Sequence, residues 1–200
     1  MHFGTIGAGA IGQAIAGHLV AAGHRVVLSN GRGPDSLSEV VQRLGPSATA
    51  GTVAEAAAAD VVFLAVRWSD IPAALANLPA WNGRILVDTT NQLTGVTPAD
   101  LVDLGSDTGS EFVARHAPGA RVVKAFNTLF AEHIAPDPRH AEGRRLLFYA
   151  GDDAAAKADF HAIADEIGFA PVDVGALREG GRLMQVGGGP LSALHALKQD

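Results

Sequence analysis

The chain has 200 residues, of which 48% are hydrophobic and 18% charged, and this composition predicts a soluble globular protein. Its formal net charge of −6 argues against general nucleic-acid binding, which requires a basic face, and the lack of cysteine excludes disulfides, zinc–thiolate sites and thiol nucleophiles. No apolar run approaches the ~20 residues of a membrane span, and the first strand-like residues begin at His2, so we expect a cytoplasmic protein without a membrane segment.

Strand-like and helix-like segments alternate along the chain. The predicted strands, in chain order, are HFGTIG, RVVLS, ATAG, DVVFLAV, RILVDTTN, RVVKAFN, RRLLFYAGDD and APVDVG. The predicted helices between them are AGAIGQAIAGHLVAAG, PDSLSEVVQRLG, TVAEAAAA, SDIPAALANL, GSEFVARHA and a last one from about Ala154 to Ile167. Thr52 and Glu55 have capping-box spacing, and DVVFLAV is apolar on both faces, as in a parallel sheet covered on both sides. This alternation predicts a doubly wound, parallel α/β sheet.

The first turn carries a glycine pattern. Gly7, Gly9 and Gly12 have G-x-G-x-x-G spacing between a predicted strand and a predicted helix. The first glycine permits a tight turn, the second lets the backbone approach a pyrophosphate, and the third allows close helix–strand packing. The helix N-terminus also offers N–H groups to phosphates. The pattern predicts a dinucleotide site at Gly7, Ala8, Gly9, Ala10, Ile11 and Gly12.

The end of the second strand indicates which nucleotide binds. An NAD site carries Asp or Glu about 20 residues past the glycines, whereas here Ser29 and Asn30 occupy that place and Arg32 follows. A carboxylate would repel a 2′-phosphate, but a hydroxyl, an amide and a guanidinium can donate to it, and Ser36 lies within reach. These residues favour NADP(H) over NAD(H). The alternative is that Arg32 is a solvated loop residue.

Later strand ends are expected to line the same crevice, because ligands of open α/β sheets lie beyond the carboxyl ends of the strands. The segments are AVRW (65–68), beside the adenosine and diphosphate, and TTN (89–91) and KAFNT (124–128), beside the nicotinamide. They add Ala65, Val66, Arg67 and Asn91 to the candidate cofactor residues. Trp68 could equally pack in the interior, Lys124 could pair with a carboxylate, and Asn127 could fix a turn.

The sequence offers few acid–base motifs. The single tyrosine, Tyr149, has Asp153 where a Tyr-x-x-x-Lys pair would require lysine, and the eight histidines form no zinc-binding pattern. His133 and His140 stand near several arginines and either touch an anionic substrate or belong to a solvated charged loop. We therefore predict no catalytic side chain and no metal site. Direct hydride transfer between two stacked heterocycles fits these residues best.

A composition shift near Asn127 divides the chain. Before it, βα units follow one another closely. After it comes a looser stretch, TLFAEHIAPDPRHAEGRR, with two prolines and a cluster of Arg and His. We predict a Rossmann NADP-binding domain over residues 1–126 and a small C-terminal α/β appendage over residues 127–200.

Several segments together resemble the NADP oxidoreductases dependent on coenzyme F420, closest to their bacterial branch. The segments are GTIGAGAIGQAIAGHLVAAGHRVVLSNGRGP, VVFLAVRW, VVKAFNTL, LLFYAGDD and GFAPVDVGAL, and they span nearly the whole chain. SNGRGP and KAFNT are more specific than the glycine pattern. The resemblance implies a usually dimeric protein whose C-terminal domain completes the substrate cleft. In that cleft the deazaflavin would stack on the nicotinamide.

The resemblance also implies roles for individual residues. At the 2′-phosphate it places Ser29, Asn30 and Arg32, and beside the nicotinamide Ala125, Phe126 and Asn127. The segment VGGGPL (186–191) would close over the ring. Arg67 departs from the family pattern, since a small residue or proline is more usual there, and it would either add a phosphate contact or obstruct one.

These observations predict an oxidoreductase that transfers a hydride between NADP(H) and F420 or a similar flavin-like acceptor. Two alternatives stay open at this point. One is an NADPH-dependent reductase of another small acceptor, such as a quinone, a flavin or a metal chelate. The other is a non-catalytic NADP(H)-binding sensor. The expected partners are a small-molecule acceptor and a second copy of the chain.

Overall fold

The computed structural model describes residues 1–95 and 97–199, and within these ranges it holds ten strands and eight α-helices. The strands are β1 (His2–Ile6), β2 (Arg25–Ser29), β3 (Ala48–Ala50), β4 (Val61–Leu64), β5 (Ile85–Asp88), β6 (Arg121–Ala125), β7 (Arg139–His140), β8 (Gly143–Gly151), β9 (Ala170–Asp173) and β10 (Leu197–Lys198). The α-helices are α1 (Ala10–Ala21), α2 (Ser38–Leu44), α3 (Val53–Ala57), α4 (Ile71–Leu75), α5 (Gly109–His116), α6 (Ala131–Ile134), α7 (Ala154–Glu166) and α8 (Leu177–Met184).

The sheet confirms the doubly wound prediction. Its parallel part has the order β3-β2-β1-β4-β5-β6, which is the strand order of the Rossmann fold. The order reverses between β1 and β4, so a crevice opens beyond their carboxyl ends. Strand β8 then pairs antiparallel with β6, and β9 pairs parallel with β8. The short strands β7 and β10 pair with the N-terminal end of β8.

Hydrophobic side chains cover both faces of the sheet. One face carries Phe3, Phe63 and Phe126 under α1 and α7. The other carries Leu64 and Leu86 with Trp68 and Trp81. Because both faces are buried, β4 and β5 are apolar at consecutive positions rather than at alternate ones.

The segment after residue 127 extends this sheet and shares its core. Strand β8 bonds directly to β6, from Val123 opposite Gly151 to Ala125 opposite Tyr149. Leu147, Tyr149 and Phe160 pack in the same cluster as residues of the first half. The predicted division near Asn127 therefore coincides with the change from parallel to antiparallel pairing. One face of β8 shares the buried cluster of the first half, whereas Phe148 and Ala150 form a small separate cluster with Met184.

Some elements differ from the predicted ones. The helix predicted from Pro34 to Gly45 begins with a 3-10 turn over Pro34–Leu37 before α2, and α4 is shorter than predicted. Helix α8 was not predicted, because Gly180 and Gly181 lower helix propensity. A Cβ on Gly180 would lie 2.6 Å from the Cβ of Ala150, so this glycine lets α8 pack closely on β8. In the described part of the chain, no helix is both long and apolar enough to cross a membrane.

Candidate nucleotide and acceptor site

The glycine turn has the geometry of a dinucleotide loop. Gly7 has φ +101°, and a Cβ there would lie 2.3 Å from the Ala65 carbonyl oxygen. A Cβ on Gly12 would lie 2.3 Å from the Gly7 oxygen, so α1 packs tightly on the turn. Gly9 differs, because no described atom lies within 4 Å of a Cβ built there. The space beside Gly9 is open to a ligand at the start of α1, where no side chain caps the helix.

A cavity of about 520 Å³ opens beside this turn at the crevice between β1 and β4. Its walls come from the ends of three neighbouring strands and from the segment around α4. They include Gly7, Gly9, Asn30, Gly31, Ala65, Val66, Arg67, Ala73, Ala74 and Leu78. The last three give one wall an apolar surface that suits an adenine ring. The structure thus brings the predicted glycines together with Asn30 and with Ala65 to Arg67.

Asn30 organises the turn that follows β2. Its Oδ1 accepts a hydrogen bond from the Arg32 backbone N–H at 2.9 Å, and its Nδ2 donates to the Ser36 Oγ at 2.9 Å. Gly33 has φ +88°, which closes the turn before the 3-10 segment. The Arg32 side chain is exposed, and its guanidinium has no hydrogen bond or ion pair with the residues that the structure describes. An anion beside this turn would meet a free guanidinium on a fixed backbone.

Ser29 lies differently from the prediction. Its side chain is buried, and its hydroxyl donates to the Thr5 carbonyl at 2.7 Å, which joins β2 to β1. This hydroxyl is already used inside the sheet, so the contact predicted between Ser29 and a 2′-phosphate has no donor in this arrangement. The physical reason is the strand register, because Ser29 lies opposite Ile6 in β1. Asn30, Arg32 and Ser36 stay as the candidates on this turn.

Two asparagines follow β5 and β6 at the same edge of the sheet, and they are not among the residues that line the cavity described above. The Asn91 Nδ2 donates to the Asn127 carbonyl at 3.0 Å, and the Asn127 Nδ2 donates to the Asn91 Oδ1 at 3.1 Å. Asn127 also donates to the Met184 carbonyl at 2.8 Å, which ties α8 to this edge. The Asn127 Oδ1 is buried and has no donor among the described residues. An unpaired buried acceptor is costly, so a ligand N–H would find a favourable partner here.

Ala125 and Phe126 also lie differently from the prediction. Both side chains are fully buried, and the Phe126 ring packs edge-on against Phe63, Phe160 and Phe169. The predicted place beside a nicotinamide therefore applies to their backbone only. Phe126 has φ +65°, an uncommon conformation for a bulky residue. Its anchored ring holds the chain in this turn and directs Asn127 toward Asn91.

A buried ion pair lies beneath the asparagines. The Lys124 Nζ is 2.9 Å from the Asp88 Oδ2, and it also donates to the Thr90 carbonyl. The Asp88 carboxylate accepts further hydrogen bonds from the Ser110 and Thr90 hydroxyls, each at 2.7 Å. Among the alternatives for Lys124, the structure shows the pairing with a carboxylate. Asp88 and Ser110 were missed, although DTT and KAF at neighbouring strand ends are a signal that could have found the pair.

The remaining candidates lie outside the crevice or only border it. Trp68 is buried and packs against Phe112, with 4.7 Å between ring centroids. Gly187, in the segment VGGGPL, is close enough to Leu101 that a Cβ would lie 2.5 Å from its side chain. The Tyr149 hydroxyl hydrogen-bonds with His161 at 3.1 Å, and burial raises its pKa. Within the described ranges, no group of three or more acidic or histidine side chains is placed to hold a metal ion.

The strand order, the glycine turn at its switch point and the cavity beside it define a dinucleotide-binding protein of the Rossmann type. Comparison with known proteins gives a family match over part of the chain. Residues 2–92 match the model of the family described as NADP oxidoreductase, coenzyme F420-dependent, and this match identifies the protein as an NADP-dependent oxidoreductase. The sequence resemblance and the prediction of NADP(H) are thereby confirmed.

Three relatives illustrate how far the similarity extends. A hypothetical protein from Sinorhizobium meliloti is 42% identical, with a TM-score of 0.93 over 100% of this chain and 96% of its own. A protein from Arthrobacter sp. FB24, provisionally described as an F420-dependent NADP-reductase, is 29% identical, with a TM-score of 0.75 over 88% of this chain and 84% of its own. The rat metalloreductase STEAP3 is 30% identical over 177 residues, or 87% of this chain. The chain spans only 34% of that protein's length.

Proposed function

We propose that the protein transfers a hydride between NADP(H) and coenzyme F420 or a similar flavin-type acceptor. The family supports the acceptor class through its description as F420-dependent. The observation that carries the proposal is the Asn127 Oδ1, a buried acceptor without a donor at the carboxyl edge of the sheet. The carboxamide of a nicotinamide offers the N–H group that this oxygen lacks. Asn127 would thus fix which face of the ring points toward the acceptor.

The chain's contribution to the reaction is positioning. Bound NADPH supplies the hydride, and the acceptor takes up this hydride together with a proton from solvent, which leaves NADP⁺ and the reduced acceptor. Asn91 and the Met184 carbonyl hold the Asn127 side chain from two sides. Such a pre-arranged group lowers the entropic cost of bringing two rings together. A side-chain proton donor is not required for this transfer.

The nucleotide selectivity rests on the turn after β2. Arg32 and Ser36 lie on a turn that Asn30 holds in place, and no carboxylate stands where an NAD site would carry one. Arg67 lies across the cavity, exposed at the end of β4. We assign Arg32 to the 2′-phosphate and Arg67 to the adenosine half of the nucleotide. A guanidinium suits both an anion and a flat ring.

We infer further that the protein works as a cytoplasmic homodimer. Support comes from the family resemblance, from the cysteine-free composition, and from exposed apolar side chains in the C-terminal part. Phe130 is 59% exposed, and Leu183 and Leu194 are each about 40% exposed. Light scattering of the purified protein measures the subunit number. A monomer at micromolar concentration would contradict the dimer and leave the reaction unaffected.

The test of the reaction is spectroscopic. Oxidised F420 is mixed with NADPH and the protein, and the loss of deazaflavin absorbance is followed, with NADH in a parallel reaction. We expect turnover with NADPH and much slower turnover with NADH. Asn127→Ala should lower kcat more than it raises KM for NADPH, because it removes an orienting contact. No turnover of F420 or flavin at micromolar protein would refute the proposal.

A second candidate is reduction of a metal chelate, which the 30% identity with the metalloreductase STEAP3 favours. A hydride carries two electrons, whereas a ferric or cupric ion accepts one. A flavin-type carrier would therefore have to stand between NADPH and the metal. Adding a ferric chelate with and without flavin tests this requirement, because reduction that proceeds without flavin would show that no carrier is needed.

A further inference from the structure

The Arg145 guanidinium lies buried near the N-terminal end of β8 without an acidic partner. The residue is 5% exposed, and its Nε and Nη1 have no hydrogen-bond partner in the described ranges. Its neighbour Arg144 pairs with Asp165 at 2.7 Å, and Arg139 pairs with Asp137 at 3.4 Å. Burying an ionised group without a counter-charge is expensive, so a buried arginine normally has an anion beside it.

One histidine contacts this guanidinium, and two more lie at the same end of β8. The Arg145 Nη2 lies 3.1 Å from the His140 Nε2. Arginine has only donors, so this nitrogen of His140 is the acceptor and carries no proton. The rings of His133 and His195 stack with their centroids 4.0 Å apart. Leu197 on β10 lies opposite Arg145, so His195 and the His133 ring stacked on it stand at the same end of β8 as Arg145 and His140. We call the arginine and the three histidines the Arg145 cluster.

The Arg145 cluster lies toward the ligand end of the sheet. Strand β6 ends at Ala125, which is opposite Tyr149, and Arg145 stands four residues nearer the start of β8. At ~3.4 Å per residue, β8 carries Arg145 roughly 14 Å past the carboxyl end of β6. The crevice opens at this end of the parallel strands. Helix α6, which carries His133, begins shortly after Asn127.

We propose that the Arg145 cluster binds the anionic group, a phosphate or a carboxylate, of the flavin-type acceptor. This inference rests on the function proposed above. The orphaned Nε and Nη1 supply the donors, and the histidine rings can donate further hydrogen bonds. F420 carries a phosphodiester and carboxylates on its side chain, and flavin mononucleotide carries a phosphate. The deazaflavin core of F420 and riboflavin lack these anionic groups. Each acceptor and its core therefore have the same redox-active ring and differ in charge.

The experiment compares kcat/KM for each anionic acceptor with that for its neutral core, in the wild-type protein and in Arg145→Met. We expect Arg145→Met to lower kcat/KM roughly ten- to hundredfold for F420 and flavin mononucleotide, which is the effect of losing one charge-assisted contact. For the two neutral cores, kcat/KM should fall less than about twofold. A loss for F420 alone would identify its carboxylates or phosphodiester as the bound group. Arg144→Met is the matched control, since Arg144 already has a carboxylate partner, and it should affect both members of each pair equally.

A second measurement does not depend on turnover. Inorganic phosphate should raise the Tm of the wild-type protein more than that of Arg145→Met, and the variant without ligand should melt no lower than the wild type, because an uncompensated buried charge has been removed. If no acceptor is reduced, the function proposed above fails, and the phosphate shift still decides the anion site. Equal losses for anionic and neutral acceptors without a phosphate effect would overturn the inference. So would a change from dimer to monomer with the preference for anionic acceptors intact.

Discussion

Lys124 and Asp88 form an ion pair of 2.9 Å beneath the crevice, with side chains 6% and 0% exposed. They lie directly opposite each other on β6 and β5. The fully buried carboxylate also accepts hydrogen bonds from the Thr90 and Ser110 hydroxyls, so both of its oxygens have donors. Their arrangement joins the two strands whose ends carry Asn127 and Asn91.

We expect Asp88→Asn to destabilise the protein by about 3–5 kcal/mol, because it leaves the Lys124 ammonium buried without its counter-charge. Adding Lys124→Met to this variant should restore part of the loss. The free energy of unfolding in urea measures both. Arg115→Gln, which breaks an exposed pair with Asp107, is the control and should cost no more than about 1 kcal/mol. A loss below that level for Asp88→Asn would contradict a structural role for the pair.

The structure of the glycine turn predicts that alanine at Gly9 impairs NADPH binding, whereas alanine at Gly7 impairs the fold. Gly9→Ala places a methyl group where no described atom lies within 4 Å. The free energy of unfolding should therefore fall by no more than about 1 kcal/mol, the cost of a less favourable residue at the helix N-cap, and the Tm should change little. NADPH binding should nevertheless fall strongly, because the methyl group occupies the approach of the pyrophosphate. Gly7→Ala places a methyl group 2.3 Å from the Ala65 oxygen at φ +101°, so the fold itself should suffer. Thermal melts and NADPH titrations of the two variants distinguish these effects, and equal Tm values would contradict them.

Arg32→Ala should weaken NADPH binding by on the order of ten- to hundredfold, the loss of a charge-assisted contact of about 1.5–3 kcal/mol. NADH has no 2′-phosphate, so its affinity should change much less. Fluorescence titration gives both dissociation constants. Arg25→Ala removes another exposed arginine, at the start of β2, and serves as the matched control. Equal losses for NADPH and NADH would show that Arg32 does not contact the 2′-phosphate.

His195 makes stability depend on acidity. Partial desolvation of the ring and then the charge of Arg145 lower its pKa, so the folded protein favours the neutral ring. The unfolded chain binds the proton more readily, with a pKa near 6.5, and stability therefore falls as the pH drops below about 6.5. When the pH is lowered from about 7.5 to about 5.5, the Tm of His195→Gln should fall less than the Tm of the wild type. His2→Gln, at the exposed N-terminus, should follow the wild type. An identical loss in His195→Gln would contradict the role of this ring.

The nucleotide half of the site could be predicted because its signals are local. The spacing of Gly7, Gly9 and Gly12 fixes a backbone shape, and the residues that follow β2 are close in sequence to the turn they form. Ser29 shows the limit of such reasoning. Whether a strand-end hydroxyl faces a ligand or a neighbouring strand depends on pairing with β1, and composition does not reveal that register.

The acceptor half depends on contacts between distant segments. Asn91 and Asn127 are 36 residues apart, and Met184 lies another 57 residues along the chain. Helix α8 was missed because its two glycines serve close packing, Gly180 against β8 and Gly181 against Thr108, a tertiary effect that overrides helix propensity. The burial of Arg145 was also not evident, since the predicted strand RRLLFYAGDD begins with two arginines that follow a charged loop. Long-range packing decides each of these features.

The Phe126 ring is enclosed partly by Phe160 and Phe169, which come from the other side of the predicted division. A chain ending at residue 126 would expose this ring together with the β6 edge that β8 covers. The two parts therefore share a buried cluster, and we expect the chain to unfold in a single transition. For protein engineering, the consequence is that residues 127–200 cannot be exchanged as an independent module. New acceptor specificity would have to come from substitutions within the intact chain.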